Sequence, residues 1–252
     1  MKRIFAIVLS LLLVVSLAAC GGAKAPEPTA APTAAPTAEP TPEPTPEPTP
    51  EPTPEPTEEP TPEPAAELAG VWDGRTWRNA FLGLEYRQPE AWIHLEGEQL
   101  LQLSGLAAEQ IGDEQIASQI AQAAEEGRVI YLMYAGSPTG EQNCNVTLEK
   151  LDDIAALTLT EEGYMDLALP QLETALTSAG MTDLTAEKGS IEFAGAEHPC
   201  VRIAAQVNGT PIHELIIAVK GEGYMASVSI ATAREDTTDL VAAAWTAPAA
   251  GE

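Results

Sequence analysis

The sequence predicts an α+β protein whose folded part is an α/β/α sandwich, a mainly antiparallel sheet covered by helices on both faces. Three observations carry that expectation. Asn208-Gly209 lies between two strand-like runs, Val201 to Val207 and Thr210 to Val219, and is the strongest short hairpin signal, favouring a type I′ turn. With a two-residue turn, Val207 faces Thr210, Ala205 faces Ile212 and Cys200 faces Ile217, so apolar residues occupy both faces of the hairpin. Leu215 to Val219 is continuously apolar, whereas a sheet wet on one side alternates. Finally, Met165, Leu169, Leu172, Leu176 and Ala179 recur at helical spacing, which supplies an amphipathic helix to cover a face.

The chain divides into three parts. Residues 1–19 read as a secretory signal: Lys2-Arg3, an apolar run from Ile4 to Val15, then Leu17-Ala18-Ala19. The run is too short for a good spanning helix. Leu-Ala-Ala-Cys resembles the lipobox of bacterial lipoproteins, which implies that Cys20 is lipidated and becomes the first mature residue. Two acyl chains on that thioether suffice for stable anchoring, so a lipid bilayer is an expected partner. Residues 20–66 are then the lipidated cysteine and a disordered stalk of Pro, Thr, Glu and Ala, with Pro-Glu-Pro-Thr repeated from Pro42 to Pro56. Proline locks φ and removes amide donors, and there are no large apolar side chains to offset the entropy of folding. Such a segment is an extended spacer of on the order of 130 Å at most. Glycosylation or partner binding is the alternative use of this composition.

Residues 67–252 form the single domain, with a core from about Leu68 to Trp245. Trp72, Trp77, Phe81, Leu84 and Tyr86 open it in a strand-like stretch that ends before Pro89. Gln99 to Gly127 is helical in character, with Ile116, Ile120, Ala123 and Ala124 on one face, Asp113 as cap and Gly127 as stop. Val129 to Tyr134 and Asn143 to Leu151 read as strands around a Gly-Ser-Pro-Thr-Gly turn. The second helix, Glu161 to Ala179, has Thr160 to cap it, Gly180 to end it and Pro170 to split or kink it. Ile191 and Phe193 mark a strand. After the Asn-Gly hairpin, Gly221-Glu222-Gly223 leads into a strand with Tyr224, Ala226, Val228 and Ile230 on one face. A final helix, Asp236 to Trp245, is expected to bury Leu240, Val241 and Trp245.

Charge and chemistry narrow the function. Of 38 acidic residues ten lie between Glu27 and Glu67, and the folded part keeps about 19 surplus negative charges. Nucleic acid is therefore not an expected ligand, because phosphates repel such a domain. No calcium loop is present, and Asp152-Asp153 and Glu125-Glu126 read as solvated faces. Cys144 and Cys200 lie in strands. An exported compartment permits a disulfide, but two small buried thiols fit better, and no Cys-x-x-Cys exists for redox or zinc chemistry. His94, His198 and His213 have no ligand spacing. His213-Glu214 and Glu197-His198 are adjacent in strands and so point to opposite faces. Ser104 and Ser137 lack the nucleophile elbow, and Gly221-Glu222-Gly223 precedes a strand, so it is a turn. No catalytic residue, no metal ligand and no cofactor is expected, and the ligand-binding residues are unassigned.

The stretch Trp77-Arg78-Asn79-Ala80-Phe81-Leu82-Gly83-Leu84-Glu85-Tyr86, followed by Gln88-Pro89-Glu90-Ala91-Trp92, resembles the opening of PsbP-like proteins. Their superfamily includes a nuclear-import factor that binds the GTPase Ran. The whole is similar to exported Firmicutes lipoproteins that carry such a module on a Thr/Pro/Glu-rich stalk. The resemblance implies an antiparallel sheet between helices and roles in binding or accessory assembly, with no catalytic motif to transfer. The expected protein is thus a lipid-anchored, extracytoplasmic binding module on the outer face of a Gram-positive-type membrane. Its partner would be an unknown envelope protein or cell-wall component. The alternative is an extracytoplasmic hydrolase using carboxylates that the sequence does not reveal.

Overall fold

A computed structural model describes residues 68–96, 99–100 and 126–248. The signal, Cys20, the stalk and nearly all of the expected helix from Gln99 to Gly127 lie outside the described residues. The described part is an α+β sandwich built on two antiparallel sheets. The larger has the order β4 (Ile93–Leu95), β5 (Val129–Gly136), β6 (Gln142–Lys150), β10 (Tyr224–Ala233), β9 (Thr210–Gly221), β8 (Ala196–Val207) and β7 (Thr182–Phe193). The smaller has the order β1 (Val71–Asp73), β2 (Thr76–Asn79), β3 (Leu84–Arg87) and β11 (Trp245–Thr246). Three helices accompany them: α1 (Asp153–Thr158), α2 (Glu161–Ser178) and α3 (Thr238–Ala242).

The Asn-Gly hairpin forms in the expected register: Val207 pairs with Thr210, Ala205 with Ile212 and Cys200 with Ile217. Asn208 and Gly209 take φ of 50° and 77°, the double positive that a type I′ turn demands. Leu215 to Val219 is buried on both faces. On one face Val201, Ile203, Ile212, Ile216 and Met225 pack under Tyr164, Met165, Leu172 and Leu176 of α2. On the other, Val146, Ile217, Val228 and Ile230 pack against Trp77, Leu84, Tyr86 and Trp245 of the small sheet, with Val241 of α3 beside them. A helix therefore does lie over each face. The addition is the small sheet, which the short runs at its corners did not announce.

Trp245 is the hub of this second layer. Its ring stands 4.7 Å from Tyr86, 5.5 Å from Phe193 and 6.0 Å from Trp77, centroid to centroid. Two glycines make room for aromatic rings of this layer. At Gly70 a Cβ would come within 2.7 Å of the Trp77 indole, and at Gly221 within 2.5 Å of Phe81. Phe81 in turn meets Tyr224 edge-on at 5.7 Å, tying the first loop to the β9–β10 turn.

Three expectations need correction. The final helix is short, from Thr238 to Ala242; Leu240 is exposed and Trp245 belongs to β11. Of the apolar residues of the helix itself Val241 and Ala242 face the core, and the chain then leaves the helix so that Trp245 can pair with Tyr86. Pro170 does not split α2, which runs unbroken from Glu161 to Ser178. Pro170 is exposed, so the carbonyl it orphans one turn back lies toward water. Asp152 is more than a solvated face, since its carboxylate accepts the Ala155 N–H at 2.8 Å and caps α1.

Candidate functional site

The ladder between β8 and β9 stops at Cys200–Ile217, although both strands continue beyond it. Pro199 sits at the break. It has no N–H to give, which is why proline in a sheet marks an edge or an interruption. The gap is filled from α2. Thr160 caps that helix by accepting the Gly163 N–H at 3.1 Å, and this fixes the next residue, Glu161, over the open ladder. Its Oε1 accepts the Lys220 N–H at 2.7 Å, taking the place of the missing strand partner. Its Oε2 lies 3.2 Å from Nδ1 of His198. Lys220 completes the clasp by donating from Nζ to the Leu159 carbonyl at 2.7 Å.

Burial raises the Glu161 carboxyl, but the His198 ring and the Lys220 N–H outweigh it and leave the group below its ordinary value. The carboxylate in turn raises His198, against the opposing effect of burial, and the Ala218 carbonyl adds to the rise. The pair is a partly shielded ion pair, with His198 13% and Glu161 23% exposed at the side chain. Beside it opens a groove of about 750 Å³ between α2, β7 and β8. Glu162, Lys188, Ser190 and Glu197 line it. Ser190 donates to Glu197 at 2.7 Å, and Lys188 is paired with Asp166 of α2. A second groove of about 480 Å³ runs between α1, α2 and the end of β6, lined by Lys150, Leu159, Tyr164 and Leu167 among others.

The three histidines do not converge. His94 stacks on Trp72 at 3.9 Å with Nδ1 on the Gln88 amide, and His213 lies 4.0 Å from Asp236. Among the described residues no group of three or more His, Cys, Asp or Glu is placed to hold a metal ion. Ser137 sits in the β5–β6 turn and receives the Gln142 N–H. Cys144 and Cys200 are buried and free. Two strands separate theirs in the sheet, so about 14 Å divides them where a disulfide needs under about 7 Å. Burial pushes the Cys144 thiol up to about 12, which leaves it inert.

One feature escaped the sequence altogether. Under the α2 side of the sheet, β6 and β10 place Asn145 opposite Ser229 and Thr147 opposite Ser227, all fully buried. Glu214 of β9 shares that side, alternating with Ile212 and Ile216. Glu214 is 3% exposed, and burial pushes its carboxyl up to about 8 although the nearby Ser229 hydroxyl works the other way. Its Oε1 has no hydrogen-bond partner, and neither has the Ser229 hydroxyl. Tyr164 bridges the layer to α2 by donating to Glu149 at 2.9 Å. Asn143-Cys144-Asn145-Val146-Thr147-Leu148 reads as a strand with one wet face, so the alternation hid a polar layer that is in fact buried.

No protein-family model matches the chain, and no curated protein matches it. Solved structures do. LpqN of Mycobacterium tuberculosis, involved in cell envelope biogenesis, is similar over 65% of this chain and 82% of its own, with a TM-score of 0.37 and 9% identity. A protein from Bacteroides thetaiotaomicron is similar over 67% of this chain, with a TM-score of 0.35 and 10% identity. The chain spans under half of that protein, 46% of its length. These likenesses concern the path of the chain.

Proposed function

We propose that this chain is an extracytoplasmic lipoprotein, held to the membrane through Cys20, whose PsbP-like domain is a non-catalytic binding or envelope-accessory module. The anchor rests on the signal and lipobox of the first twenty residues. Among the described residues no helix is long and apolar enough to cross a membrane. The binding role is carried by the Glu161–His198 clasp. A hydrolytic dyad needs a base with a free face toward substrate. Here Glu161 is spent on Lys220 and His198, while His198 is held between Glu161 and the Ala218 carbonyl. The groove beside the clasp is open: Ser190 is paired with Glu197 and Lys188 with Asp166, while the exposed Glu162 faces it with its charge unneutralised, which suits a surface for recognition.

The test has two arms. Cys20→Ser should release the protein from membranes or leave its precursor unprocessed, read by fractionation and mass. A processed, membrane-bound serine variant would remove the anchor. A screen over esters, peptides and glycosides should give no turnover. Turnover that survives repurification and vanishes in Glu161→Gln or Glu197→Gln, with the fold intact, would replace the binding module by the hydrolase.

A further inference from the structure

We propose that β7 is a docking strand, to which an extended lysine- or arginine-rich segment of a partner adds as the eighth strand of the large sheet. The proposal rests on the binding-module reading and gives it a partner chemistry. β7 stands at the end of the sheet order, and among the described residues it pairs with β8 alone. Its ladder is regular from Thr185 to Phe193, so an equal length of backbone on the other side has N–H and C=O groups with no strand among the described residues to receive them. The side chains along it are mostly exposed, and Gly189 and Ser190 keep its middle low. A strand of twelve residues is about twice the usual length, and a long open edge is a ready template for pairing.

Proteins commonly blunt such edges with charge. The charges here are nearly all of one sign. Asp183, Glu187 and Glu192 stand on β7, and Glu162 and Glu197 line the adjoining groove. The cation among them, Lys188, is neutralised by Asp166. Such an edge repels a second copy of this acidic chain and attracts a cationic strand, so the pattern selects its partner. Strand addition supplies affinity through main-chain hydrogen bonds and specificity through alternate side chains. The groove between α2 and β7 gives the long side chains of one such alternate set a place to lie, with Glu162 and Glu197 to meet their charged ends.

The experiment measures binding of the full chain to a labelled peptide of about ten residues alternating lysine with threonine, by fluorescence anisotropy. Binding is expected, and it should weaken at least tenfold in the Glu187→Lys/Glu192→Lys variant, whose melting curve checks its fold. N-methylation of one alternate set of peptide amides should abolish binding, while the other set is tolerated, because a docked strand turns only one set toward the ladder. The docking strand is overturned by no binding at millimolar peptide, by equal binding of a control peptide that alternates glutamate with threonine, or by methylated sets that behave alike. None of those outcomes touches the binding-module reading, which falls instead to turnover in the substrate screen.

Discussion

At position 214 a carboxylic acid occupies a site whose neighbours on the same side of β9, Ile212 and Ile216, are apolar and buried. An ionised carboxylate there would lose its hydration without gaining a counter-charge, so the folded protein keeps the proton up to about pH 8, against 4.5 for a free glutamate. The unfolded chain releases its proton at the lower value. The contribution of Glu214 to stability is therefore complete below about pH 4.5 and declines as pH rises toward 8, with a slope of up to about 1.4 kcal/mol per unit. Glu214→Gln has no proton to lose. Melting temperatures taken from pH 5 to pH 9 should show the variant gaining on the wild type with each unit and exceeding it above pH 8. Parallel curves for the two proteins would mean that Glu214 is ionised and paired.

At the scale of elements, the end of α2 is bound to the sheet by Glu161, and two titrations bound that contribution. The lowered carboxyl contributes above the ordinary glutamate range and loses its contribution as pH falls through the folded value. The raised imidazole contributes fully below its ordinary 6.5 and loses its contribution as pH rises through the folded value. The two overlap in the window from about pH 5 to 6.5. Glu161→Gln keeps an acceptor for Lys220 but loses the charge, and should cost about 0.5–1 kcal/mol in that window and less on either side, by denaturant titration. A cost that is flat with pH would make the clasp a hydrogen bond alone. The elements themselves were largely legible. Periodicity located α2, the strands of the Asn-Gly hairpin and their register, because each of these is decided by neighbours in sequence. The clasp was not legible, since it depends on a gap that only the folded sheet creates. Pro199 beside His198 was the available sign that a ladder ends there. The small sheet was missed because its strands are two to four residues long, too short for any period to show.

For the whole molecule, the stalk and the domain should be thermodynamically separate. The stalk brings no large apolar side chain to a core, so deletion of residues 24–65 should leave the melting temperature unchanged. A drop of several degrees would show the stalk packed on the domain. The two buried cysteines, three strand spacings apart, make that melting temperature independent of added reductant as well. Trp245 bears on timing. Tyr86 and Trp77 belong to the first strands of the domain, and the ring that closes over them arrives only with β11. A chain emerging amino-terminus first, from a ribosome or a membrane pore alike, holds those two aromatics uncovered until that late segment has emerged. Contacts between such distant positions are slow to form. The second layer of the sandwich is thus a late lock, one that only a nearly complete domain can close.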